Sequence, residues 1–240
     1  MTIVTFFILL FSAVAIGVFA VVFGGTLFLS LPLFQILFPE LSLASMIGSI
    51  KVGSVFRNAS ALWSRSKEID WRSLWLLLPL GSGSVAGALV VSSMTEVVVP
   101  IMLLIGFFLS EKAHTITIKD SAYFVVAFIV GFYGGIFGAG ILLLLLALLQ
   151  LRLGSLVNAR TNAILLEMCL SLIAVAVFIT QGIINWQIAS VWAAGGIVGG
   201  YLGGMIIGYT GTLPKQQQQW LVRIAFLLAL AIALWKLTTI

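Results

Sequence analysis

The chain has 240 residues, of which 62% are apolar and 8% charged, and its mean hydropathy is +1.24. Soluble globular domains carry roughly a quarter of their residues charged, so a soluble enzyme or binding module is excluded. The net charge of +5 comes from Lys and Arg spread along the chain, not gathered into a nucleic-acid-binding face, and is read as membrane topology. The single cysteine, Cys169, lies in an apolar stretch and allows no intramolecular disulfide.

Apolar segments run over 3–38, 41–63, 73–92, 95–110, 121–150, 154–181, 187–210 and 218–237. Several exceed the ~20 residues that a helix needs to cross a bilayer. The first has no basic residue ahead of its apolar run, which predicts a retained membrane segment and not a cleaved signal. Barrel strands would alternate with a period of two, and runs such as LLLLLALLQL do not. The expected fold is an all-α integral membrane protein, a single transmembrane domain over 1–240. Segments 3–38 and 121–150 are too long for one crossing, since ~30 residues at a rise of ~1.5 Å extend ~45 Å against a hydrocarbon core of ~30 Å. Each is predicted to tilt, break or turn back at its small residues, Gly24-Gly25-Thr26 in the first and Gly138-Ala139-Gly140 in the second. Broken backbone is tolerated inside a membrane only against protein or a polar cavity; the alternative role of such glycines is close helix packing.

The pattern occurs twice. Aligning Phe23-Gly24-Gly25-Thr26-Leu27 on Phe137-Gly138-Ala139-Gly140-Ile141 brings Ile47-Gly48-Ser49-Ile50, after a one-residue gap, onto Arg160-Thr161-Asn162-Ala163, and later Gly83–Gly87 onto Gly199–Gly203. Two similar four-segment halves are predicted, about 1–112 and 118–240. Duplication with interrupted helices at matching positions points to a secondary transporter. If the long segments are hairpins the halves are inverted; if they are single crossings the halves are parallel. Inversion places Arg65, Lys67, Arg72, Lys112, Lys119, Arg152 and Lys215 inside and only Lys236 outside. With segment length, this favours inverted repeats.

These residues resemble the sulfite exporter TauE/SafE family of transmembrane anion permeases with a duplicated core. The resemblance rests on the break Gly24-Gly25-Thr26 followed by Leu31-Pro32-Leu33, and on its repeat from Gly138-Ala139-Gly140 to Leu149. It rests also on the small or hydroxylic steps Gly48-Ser49 and Thr161-Asn162, and on Gly-rich helices beginning near Gly81 and Gly195. It covers nearly the whole chain. It implies transport of a small sulfur-containing anion such as sulfite, sulfoacetate or a related sulfonate across the cytoplasmic or plasma membrane.

Away from the segment ends, where Glu96 and Lys236 lie, four cations and one acid fall inside the apolar segments: Lys51, Arg57, Arg160, Arg223 and Glu167. A charge at the bilayer centre costs at least ~2.5–3.5 kcal/mol, so each needs a partner or a wet cavity. Lys51, Arg57 and Arg160, with Ser49, Asn58, Thr161 and Asn162, form a candidate oxyanion site. Arg suits it because its planar fork donates two parallel hydrogen bonds. Backbone N–H groups at Gly24-Gly25-Thr26 and Gly138-Ala139-Gly140 would add positive helix ends. In the bland alternative Lys51 and Glu167 neutralise each other while Arg57 and Arg160 snorkel to the interface; Glu167 is otherwise a candidate proton carrier. Trp63, Trp71, Trp75, Trp186, Trp192, Trp220 and Trp235 mostly flank apolar segments, as interfacial belts do.

His114, the only histidine, and both aspartates, Asp70 and Asp120, lie in polar links, as does Glu96, and Gln216–Gln219 is a short polar run at a helix start. Neither an intramembrane catalytic set nor a P-loop is found, so no enzyme activity, metal or cofactor is expected. The expected partners are a small anionic substrate and the lipid bilayer. Export is favoured, with a proton-coupled uptake permease or a passive anion channel as alternatives.

Overall fold

A computed structural model describes residues 1–94, 98–112, 122–153 and 156–210, with 220, 223, 224, 227, 230 and 231 of the last segment. The side chains of Lys112 and Arg152, and Glu96, His114, Lys119, Asp120, Lys215, Gln216–Gln219, Trp235 and Lys236, lie outside the described residues. The helices are α1 Ile3–Phe23, α2 Thr26–Leu37, α3 Leu43–Ser64, α4 Leu77–Val90, α5 Val98–Lys112, α6 Tyr123–Ile136, α7 Ile141–Leu153, α8 Leu156–Gln181 and α9 Trp186–Thr210. No strand occurs among the described residues, and the fold is all-α.

Both over-long segments are broken where the glycines fall. Gly24 and Gly25 have φ of +83° and +78°, and Gly138 and Gly140 have φ of +71° and +74°, a region that costs an L side chain ~1–2 kcal/mol and glycine nothing. Segment 73–92 is not one α-helix. It opens as 3-10 turns over Trp71–Leu76, because Pro79 lacks an N–H and its ring would clash with the carbonyl four residues back. Trp63, Trp71, Trp75, Trp186 and Trp220 are exposed, whereas Trp192 is buried in the core.

Helix directions follow from glycine contacts. On α9, Gly195, Gly199 and Gly203 face Leu10–Ala13, Val14–Gly17 and Val18–Val21 of α1, while Gly196, Gly200 and Gly204 face Gly53–Arg57, Arg57–Ser60 and Ala61–Ser64 of α3. Residue numbers rise together in both sets, so α1, α3 and α9 run the same way. Gly83 and Gly87 of α4 meet Phe128–Phe132 and Phe132–Ile136, and Gly131 and Gly135 of α6 meet Leu80 and Ser84, so α4 and α6 are also parallel. Between α3 and α8 the order reverses: Ser49 bonds Asn185, Arg57 pairs with Glu167, and Arg65 bonds Thr161. α8 runs with α4, as the contacts Asn162–Ser73, Leu170–Ser84 and Gln181–Leu89 place it. The chain that leaves on α1 therefore returns before α3 begins, and α2 lies between them; α7 does the same between α6 and α8.

These approaches admit nothing larger than glycine. A Cβ on Gly200 would lie 2.1 Å from the Arg57 carbonyl oxygen, and one on Gly87 2.1 Å from that of Phe132, both backbone atoms. Gly87→Ala and Gly200→Ala are each expected to lower the melting temperature in detergent more than Gly182→Ala. At Gly182 the added Cβ meets no atom and only its φ of +66° is strained, for about 1–2 kcal/mol. Equal losses at all three positions would contradict the close-contact account.

Candidate functional site

α3 lies against both α8 and α9, and this protein-facing position is what lets it carry polar groups at depth. Its Lys51, Arg57 and Asn58 are 4%, 3% and 1% exposed. Arg57 uses three edges of its guanidinium. Nε donates to Asn58 Oδ1 at 3.0 Å, Nη1 to Thr26 Oγ1 at 2.5 Å, and Nη2 to Glu167 Oε1 at 2.8 Å. It thus ties α3 to the first residue of α2, at the first break, and to α8. Arg57 does not snorkel, and it is Arg57 that forms the salt bridge with Glu167. The sequence alone does not give the relative rotation of α3 and α8, which turns Glu167 toward Arg57.

Lys51 sits six residues earlier, about 9 Å along the helix. Its Nζ donates to the Gly134 carbonyl at 2.6 Å, in the last turn of α6, where helix carbonyls lack intrahelical partners and the dipole end is negative. A Cβ on Gly138 would lie 2.8 Å from that ammonium, so Lys51 occupies the second break. Tyr133 braces the same break: its carbonyl accepts from the amides of Phe137 and Gly138, and its hydroxyl donates to the Ala139 carbonyl at 2.7 Å. A Cβ on Gly24 would lie 3.2 Å from Leu143 Cγ, so the first break abuts the start of α7.

Among the described residues no backbone hydrogen bond is formed by the amides of Gly25, Thr26 and Leu27 at the first break, nor by those of Ala139, Gly140 and Leu142 at the second. Asn58 Nδ2 is likewise buried without an acceptor. Around Arg57 and Thr26 lies a cavity of about 10 Å³, lined also by Gly17, Gly53 and Trp192, roughly the room for one water. Trp192 closes it from one side, packed on Gly53 and edge-on to Phe34 with ring centroids 5.0 Å apart.

The remaining sequence candidates lie elsewhere. Ser49 accepts from the Asn185 amide at 3.2 Å, near the start of α9. Thr161 donates to Glu68 at 3.0 Å and accepts from Arg65, while Asn162 accepts from the Asp70 amide at 2.9 Å and the Ser73 hydroxyl at 3.3 Å. Both clamp the polar link after α3 onto α8. Arg160 is buried beside them and away from Lys51 and Arg57. Arg223 stands over the Trp220 ring at 6.0 Å in the last segment. Sequence reasoning missed Tyr133, Trp192, Asn185 and Glu68; the spacing Tyr133-Gly134-Gly135 before a break was the one available signal.

Two buried cations thus lie beside the two glycine breaks, Arg57 paired with Glu167 and Lys51 bonded to the Gly134 carbonyl. The model of the family described as "Sulfite exporter TauE/SafE" matches residues 9–236, nearly the whole chain. The chain belongs to this family. No curated protein and no solved structure matches it. As a TauE/SafE member the chain is a multi-pass membrane transporter of sulfur anions.

In this TauE/SafE chain, Arg57→Gln or Glu167→Gln alone should destabilise the protein by about 3–5 kcal/mol, because each leaves a buried charge uncompensated. Arg57→Met with Glu167→Leu should recover most of that loss. A double-mutant cycle by thermal unfolding should give a larger coupling for Arg57–Glu167 than for Lys51–Glu167; the reverse ranking would reject the observed pairing.

Proposed function

We propose that the protein exports a small sulfur oxyanion, with sulfite or a sulfonate such as sulfoacetate as substrate, across the cytoplasmic membrane. The observation that carries this is Lys51: a deeply buried ammonium whose hydrogen bond goes to a backbone carbonyl and not to an acid. An oxyanion at the breaks would accept from Lys51, from the remaining guanidinium hydrogens of Arg57, from Asn58 Nδ2 and from the amides of Gly25, Thr26, Ala139 and Gly140. Amides at helix starts and charged donors together form the kind of anion site that interrupted helices supply. Gly24 and Gly138 supply the turns that place those amides.

The two halves, about 1–112 and 118–240, are read as inverted repeats. Supporting this, equivalent helices run in opposite directions: α1 against α6, and α3 against α8. The packing is also reciprocal, with the first helix of each half on the Gly-rich helix of the other.

If the cell interior is negative, outward movement of one negative charge is favoured by ~2.3 kcal/mol per 100 mV, so export needs no coupling ion. Proton-coupled uptake would require a carboxylate free to take up a proton. Protonating Glu167 would remove the counter-charge of Arg57, and this favours export.

In proteoliposomes loaded with sulfite, an inside-negative potential should speed efflux. Lys51→Met should slow it by about tenfold or more, the effect of losing one charged hydrogen bond of ~1.5–3 kcal/mol. Efflux that ignores the potential but needs a pH gradient and Glu167 would decide for coupled uptake. Flux that rises linearly with sulfite concentration and does not saturate would decide for a passive pore.

A further inference from the structure

α8 carries Arg160 and Glu167 seven residues apart, hence on one face and about 10 Å apart along the axis. Glu167 meets Arg57 at depth, and Arg160 lies toward the polar link that follows α3. There Arg65 is held by both carboxylate oxygens of Glu68, and it also donates to Thr161 and to the Gly204 carbonyl, each at 3.4 Å. The charge of Arg65 is therefore matched. That of Arg160 is not matched by any described residue. Arg160 is 9% exposed, its Nε has no acceptor, and no hydrogen bond joins it to a described residue. Among the described residues the like charge of Arg65 acts on it. Glu68, with its side chain 33% exposed, connects this cluster to water.

A buried guanidinium with no counter-ion is unfavourable unless an anion visits it. Its fork suits two oxygens of one oxyanion. We propose that Arg160 is a second oxyanion-binding station, separate from the site at Lys51 and Arg57. It would hold the transported anion between that site and water on the face of the 65–72 link. The inference rests on reading the protein as an oxyanion transporter and adds a second binding step to its path. Thr161 and Asn162 then act as positioning residues: bonded to the link, they fix the first turns of α8 and with them Arg160.

The test uses the full chain in lipid nanodiscs, with arginine carrying the heavy nitrogen isotope. The Nε–H resonance that disappears in Arg160→Lys belongs to Arg160. Sulfite should shift that resonance saturably, and Lys51→Met should change the midpoint by about twofold at most, because the two stations bind independently. A resonance that sulfite does not move, or whose shift is lost with Lys51→Met, overturns the second station. Neither result bears on the transport reading, which stands or falls on efflux. In membrane vesicles of the two orientations, Arg160→Gln should raise the KM for sulfite presented on the 65–72 face by about tenfold and on the other face by about twofold at most, with Arg160→Lys recovering part of the loss. Equal changes on both faces would assign Arg160 a structural role and overturn the proposal.

Discussion

Everything in this structure follows from backbone packed against backbone at glycine. In lipid, apolar side chains gain little by leaving one apolar surrounding for another, so helices are held together by close van der Waals approach and by weak Cα–H···O contacts. The doublets Gly195-Gly196, Gly199-Gly200 and Gly203-Gly204 give α9 two bare edges, one against α1 and one against α3. Both contacts are parallel, and parallel helix dipoles do not attract, so steric fit must supply the gain. Once α1 and α3 are aligned, the chain between them has to come back. The breaks at Gly24-Gly25 and Gly138–Gly140 are the consequence, and the breaks in turn expose the helix-start amides of the proposed anion site.

The cations of α3 divide into two kinds. Arg57 is bonded through all three of its nitrogens to Thr26, Asn58 and Glu167, with two of its five hydrogens left over, and in that role it fixes where α2 begins relative to α8. Lys51 uses one of its three hydrogens on the Gly134 carbonyl and meets no carboxylate in hydrogen-bond contact. A point charge on a flexible stem can exchange that carbonyl for an anion at little cost, which a three-way bonded guanidinium cannot.

Most segment boundaries among the described residues and both breaks were legible in the sequence, because length against bilayer thickness and paired small residues are local properties. The rotation of one helix against another was not. Lys51 and Arg57 lie about 9 Å apart along α3, both within reach of the middle of α8 by sequence, and only the contact between α3 and α8 decides which cation meets the carboxylate. Thr161 and Asn162 present polar groups at the start of a helix, and nothing in their spacing shows that the link carrying Glu68, Asp70 and Ser73 folds back onto them. The glycines of α9 were visible as a run of small residues; that successive pairs serve two different neighbours follows from the ~100° turn per residue only when both neighbours are in place.

α1, α3 and α9 form one set joined by glycine ridges, and α4 and α6 form a second. Lys51 on Gly134 joins the first set to the second, and Arg57 on Glu167 joins it to α8. The cavity beside Arg57 is closed by Trp192 of α9 and by Gly53 of α3, both members of the first set. Within a set, sliding one helix along another would drive a backbone oxygen into a Cα, so the contact fixes their register. Between the sets, Lys51 on Gly134 is a direct hydrogen-bonded tie, and α8 packs against α3 of one and α4 of the other. An anion at the proposed site that drew Lys51 away from Gly134 would remove one tie and leave a helix-end carbonyl of α6 without its donor, which would link anion binding to the packing of the two sets through the same ammonium.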